Sequence, residues 1–178
     1  MKILVTILLF SFSIFVQGEN VGIQRELSEN LKPFENYIGK TFKGEFANST
    51  PEKPVYDISR WERALNGNAI RIMHSVNNGE YGGESIVIWD TKKESLVSWY
   101  FTTAGFYTQA TLHFEDEKLI SIEDVTGNEN GITQVKAIIE FLPDGNMLNS
   151  SKYFMNGNWV DGHKIHYKEN PDAKVIFK

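Results

Sequence analysis

The sequence predicts an all-β fold: an antiparallel up-and-down barrel of about ten strands, preceded by a short helix. Three observations carry this. Turn dipeptides of the Asn-Gly or Asp-Gly type recur at Asn66-Gly67, Asn78-Gly79, Asn130-Gly131, Asp144-Gly145 and Asn156-Gly157. Such pairs accept the positive φ angles that tight hairpins demand. Between them, apolar and polar residues alternate with period two, while no helical periodicity survives past Gly39.

The chain starts with a segment that is read apart from the fold. Met1-Lys2 is followed by an apolar run from Ile3 to Val16, then by Gln17-Gly18 and an abrupt polar switch at Glu19-Asn20. A positive start, a short apolar core and a small residue at its end describe a secretory signal peptide over residues 1–18. The run is shorter than the about 20 residues a bilayer-spanning helix needs. Residues 19–178 then form one exported domain, secreted or periplasmic, with no membrane span after cleavage. The chain has no cysteine, so disulfides, thiol nucleophiles and cysteine-bound metals are excluded, and stability must come from core burial. A net charge of -5 with both signs dispersed gives no footprint for nucleic acid.

Ile23, Leu27 and Leu31 repeat every four residues as one helical stripe. Pro33 interrupts it, Phe34, Tyr37 and Ile38 suggest a further turn, and Gly39 is a plausible stop. Strands follow over 41–48, 54–65, 69–77, 84–91, 95–103, 106–115, 118–126, 132–142, 147–156 and 159–168. In the third, Ile70, Ile72, His74 and Val76 oppose Arg71, Met73 and Ser75. Tyr81-Gly82-Gly83-Glu84 reads as a tight turn, since no helix follows it to present a phosphate site. Tight turns make neighbours antiparallel, and closure removes the exposed edges a meander otherwise leaves.

Two sets of residues carry a family likeness. Leu31 to Glu45, with Gly39-Lys40-Thr41-Phe42 in it, resembles the helix-to-first-strand entry of lipocalin-like (calycin) domains, although Phe stands one place beyond the usual Trp. Arg60-Trp61-Glu62-Arg63-Ala64-Leu65-Asn66-Gly67, Tyr81-Gly82-Gly83-Glu84 with Trp89-Asp90, and Tyr100 to Phe106 together resemble a group of uncharacterised bacterial lipocalin-like secreted proteins. The likeness covers most of the mature chain. It implies a barrel and export, and brings no established activity with it.

The richest polar constellation is Arg60, Glu62, Arg71, His74, Glu84, Trp99, Tyr100 and Thr102, drawn from neighbouring strands. Apolar walls with a few polar groups are what a ligand cavity requires, so these are the candidate cavity residues, with Arg60 or Arg71 facing a ligand carboxylate. The plainer alternative is an Arg-Glu set that neutralises itself on a solvated face. His163 and His166 fall on opposite faces, no His-x-His occurs, and no metal or cofactor is expected, although His74 and His163 are the two placed to try a haem. Glu115-Asp116-Glu117 reads as a solvated turn and Glu123-Asp124 as an acidic pair.

The expected function is therefore binding of a small apolar or amphipathic molecule in the barrel. A filled barrel acting through protein contacts is the alternative. An enzyme using Glu84, His74 or Tyr100 as acid-base groups ranks behind both, and no catalytic motif is present.

Overall fold

The computed structural model describes residues 26–126 and 130–178. The signal segment and Ile23 lie outside the described residues.

A 3₁₀ helix, Glu29–Tyr37, leads into β1 (Thr41–Phe46). The period-four stripe expected to form the helix is replaced by a period of three. Leu31, Phe34 and Tyr37 are the buried residues of the helix, and in a 3₁₀ helix residues three apart eclipse. One straight apolar ridge results, and Leu27 is buried just ahead of it. Pro33 sits inside the helix.

Nine further strands follow: β2 (Tyr56–Ala64), β3 (Ala69–Val76), β4 (Tyr81–Asp90), β5 (Ser95–Thr102), β6 (Tyr107–Glu115), β7 (Lys118–Asp124), β8 (Ile132–Phe141), β9 (Met147–Met155) and β10 (Asn158–Glu169). Each pairs antiparallel with its sequence neighbour, and β1 closes on β10, Gly44 standing opposite Tyr167. The ten-stranded antiparallel barrel expected from the sequence is the one observed. Its hairpins use the anticipated chemistry: at the β9–β10 turn Asn156 and Gly157 have φ of 51° and 78°, the paired positive angles of a type I′ turn.

The segment Tyr81-Gly82-Gly83-Glu84 is a correction. It begins β4, and the turn lies one step earlier, at Asn77 to Glu80. The two glycines serve close approach within the sheet. A Cβ on Gly82 would come within 2.5 Å of the His74 carbonyl oxygen, and one on Gly83 would strike the Phe101 carbonyl and the Tyr100 ring.

Register sorts the strand faces. Trp61, Ile70, Val87, Leu96, Leu112, Leu119, Met147 and Tyr167 point inward, with Phe34 and Tyr37 of the 3₁₀ helix set into one end among them. There the Phe34 ring lies 5.5 Å from that of Phe114, and Tyr37 lies 4.6 Å from Phe141. Burying each such side chain contributes about 1.5–3 kcal/mol, so the helix seals this end with an apolar floor. Beyond Glu169 the chain runs back along the outer wall, where the Ile176 amide donates to Ser75 Oγ at 3.0 Å.

Candidate functional site

Above the floor the inward face changes character. The parity that places Trp61 inside also places Ser59 and Asp57 there, since Asp57, Ser59 and Trp61 alternate along β2. Across the register Ser59 faces His74 on β3, His74 faces Gly83 on β4, and Ser85 faces Tyr100 on β5. The upper half of the interior thus carries a band of polar residues, with Val76, Phe46, Ile165 and Val135 interleaved on the same inward face.

Asp57 is the centre of this band. Its side chain is 1% exposed. His74 Nδ1 lies 2.8 Å from Asp57 Oδ1, and the Tyr167 hydroxyl donates to Asp57 Oδ2 at 2.7 Å. Tyr167 reaches Asp57 across β1: both stand opposite Gly44, one on each side. A Cβ at Gly44 would approach within 2.6 Å of two Tyr167 ring carbons. Burial and the adjacent Asp57 carboxylate push the Tyr167 phenol well above its ordinary range, so it stays a donor.

From Asp57 the chain of bonds continues through His74. His74 Nε2 lies 2.7 Å from the Tyr100 hydroxyl, which donates to the Tyr81 hydroxyl at 3.1 Å. With the Tyr100 proton given to Tyr81, Nε2 is the donor in its contact with Tyr100. With the two hydroxyls turned the other way, Nε2 accepts from Tyr100. Both arrangements satisfy every heavy-atom distance. Burial, reinforced by the bond to Tyr81, holds Tyr100 as a neutral phenol far above the usual tyrosine range.

A second group stands on β9 and β10. The ladder shifts between Asp161 and Lys164, and this bulge sets Gly162 and His163 opposite Ser151. The His163 amide donates to Ser151 Oγ at 2.9 Å, and His163 Nδ1 lies 3.0 Å from the Tyr153 hydroxyl. Burial pushes the His163 imidazole below its ordinary pKa, so it is neutral near pH 7.

Glu123 completes the band. It faces Ala110 on β6 and Val135 on β8, both on the inward face, whereas Asp124 turns outward and accepts from Gln134 at 2.8 Å. Burial raises the Glu123 carboxyl pKa, opposed only by the Thr108 hydroxyl, and among the described residues no ion pair joins it.

Of the eight residues singled out from sequence, His74, Tyr100 and Thr102 share this inward face. Thr102 is at the rim, its Oγ1 donating to the Phe106 carbonyl at 3.0 Å within the β5–β6 turn. The other five, Arg60, Glu62, Arg71, Glu84 and Trp99, alternate to the outer wall. There the charges pair with one another: Arg60 Nε with Glu62 at 3.1 Å, Arg71 with Glu62 at 3.8 Å, and Arg71 with Glu84 at 2.6 Å. Neither arginine faces into the barrel. Sequence reasoning passed over Asp57, Tyr153, Tyr167 and the inward role of Glu123. The parity of β2 and β7 held the signal for the two carboxyls; the reach of Tyr167 over Gly44 had none.

Among the described residues no three of His, Cys, Asp and Glu converge to hold a metal ion, and no helix is long and apolar enough to cross a membrane. Both His74 nitrogens are engaged. Fold and site together define a closed ten-stranded antiparallel β-barrel with an apolar floor and a hydrogen-bonded polar band above it. Neither the protein-family models nor the curated proteins compared with this chain give a match.

Proposed function

We propose that this chain is an exported, lipocalin-like barrel that binds a small amphipathic molecule in the upper half of its interior. One observation carries the reading: the inward face is divided, apolar at the end closed by the 3₁₀ helix and polar around Asp57, His74, Tyr100 and Glu123. A molecule with an apolar body and a polar head matches that division, since binding sites combine apolar walls with a few orienting polar groups. Three inward glycines favour room along the axis. Tyr167, Tyr100 and Tyr153 have ring atoms where a Cβ on Gly44, Gly83 and Gly162 would project, so the rings lie back against the wall. Export rests on the N-terminal segment.

A thermal-shift panel of alkyl alcohols, amines, carboxylates and sterols tests the reading. A ligand present at 100 times its Kd stabilises by about 2.7 kcal/mol, which for a chain of this size is a rise in Tm of about 5–10 °C. A panel in which no member moves Tm overturns it.

A filled barrel that works through its outer surface is the second reading. Its support is the exposed aromatic pair at the end away from the 3₁₀ helix, Phe101 and Tyr107, 49% and 67% exposed with ring centroids 6.0 Å apart.

A further inference from the structure

We propose that the polar head this barrel takes is a cation, an alkylammonium or similar amine, held by Glu123 with the tyrosines beside it. The inference rests on the barrel-binding reading and adds the charge and class of the ligand.

The argument is one of uncompensated charge. The lysines and the other arginines placed by register around the polar band point outward: Lys43 and Arg60 on β1 and β2, Arg71 on β3, Lys136 on β8, Lys152 on β9, and Lys164 and Lys168 on β10. Arg63, near the end of β2, shares the inward parity, but among the described residues it makes no ion pair with Glu123. The inward positions at the same levels hold two carboxyls. Asp57 has its own donors, His74 and Tyr167. Among the described residues Glu123 has only the Thr108 hydroxyl. A half-buried carboxylate without a counter-charge is costly in a low-dielectric interior. A ligand cation relieves that cost, whereas a ligand carboxylate adds to it.

Aromatic geometry points the same way. Tyr100 rests against the backbone at Gly83 and Tyr153 against that at Gly162. A cation over a tyrosine face is attracted by the ring quadrupole. Tyr100 also lies within electrostatic reach of Glu123. The groups facing Glu123 from the adjoining strands are Thr108 and Ala110 on β6, Val135 on β8 and the neutral phenol of Tyr100 on β5. None of them supplies a positive charge.

The test uses the mature full chain and three probes of one length: octylamine, 1-octanol and octanoate, titrated by calorimetry at pH 7.4. Octylamine is expected to bind at least ten-fold tighter than 1-octanol, and octanoate more weakly than either. Glu123→Gln, close to isosteric, should abolish the amine's advantage and leave 1-octanol unchanged. Asp124→Asn removes the neighbouring outward carboxylate and should alter neither, which separates an interior contact from a general charge effect. The amine's advantage should also fall as pH drops and Glu123 protonates. Octanoate binding as tightly as octylamine, or an advantage that survives Glu123→Gln in a folded variant, overturns the cation and leaves barrel binding standing. Binding of none of the three overturns the barrel reading and this inference with it.

Discussion

Gly44→Ala isolates the packing that holds the polar band in place. Gly44 stands between Tyr167 and Asp57 in the β10–β1–β2 register, and the Tyr167 phenol passes over it to donate to Asp57 at 2.7 Å. An added Cβ lands 2.6 Å from two Tyr167 ring carbons and closer still to Ile165. The ring must lift, because both contacts are to side chains buried in the wall. Overpacking of this kind costs about 1–3 kcal/mol. Losing a hydrogen bond to a buried carboxylate costs about 1.5–3 kcal/mol more, so Gly44→Ala should destabilise by about 2.5–6 kcal/mol. Tyr167→Phe keeps the ring and removes only the hydroxyl, and should lose about 1.5–3 kcal/mol. Since the bond can be lost only once, the double variant should fall short of the two single losses combined by about the value of that bond. Urea unfolding followed by tryptophan fluorescence measures all three. Single losses that add within about 0.5 kcal/mol would refute the idea that Gly44 acts through Tyr167.

Further outcomes concern charge and turns. Glu123 has its pKa raised on folding by burial, so the stability it contributes is complete below its unfolded value of 4.5 and is lost as pH rises through the folded one. Glu123→Gln should therefore gain on the wild type in unfolding free energy as pH rises above 4.5, as read by urea midpoints. His163 behaves oppositely: with its pKa lowered by burial, its contribution is present above 6.5 and lost as pH falls through the folded value. Replacing it with Gln should flatten the acid limb of the stability profile. The β6–β7 turn places Asp116 and Glu117 at φ of 47° and 63°; the double change to Asn-Gly should stabilise by about 1 kcal/mol, measured by Tm. Glu84→Gln, which breaks a half-exposed outer pair, should cost less than about 1 kcal/mol and leave ligand binding unchanged.

Strand number and closure were legible because turn chemistry and period-two alternation are local signals. All ten strands fall within the spans read from sequence to within a few residues. The alternation on β3 even placed His74 with Ile70 and Ile72 on the inward face. Locality fails where space decides. Gly82 and Gly83 look like a turn until the approach of the His74 carbonyl and the Tyr100 ring is known. The candidate site suffered similarly: Arg60, Glu62, Arg71 and Glu84 were grouped by charge, and charge says nothing of which face a strand turns outward. Asp57 was missed although its parity with Ser59 and Trp61 is plain, because a lone acidic residue on a strand reads as solvated until its donors, 17 and 110 residues away, are in view.

Barrel binding of a small amphiphile is tested most directly by native mass spectrometry of the protein purified from its own source, followed by denaturation and identification of what is released. The account predicts one specific co-purifying molecule with an apolar body and an amine head, lost on unfolding and absent from Glu123→Gln. A clean apo mass, with no Tm response across the ligand panel, would contradict it and leave the filled barrel as the reading that stands.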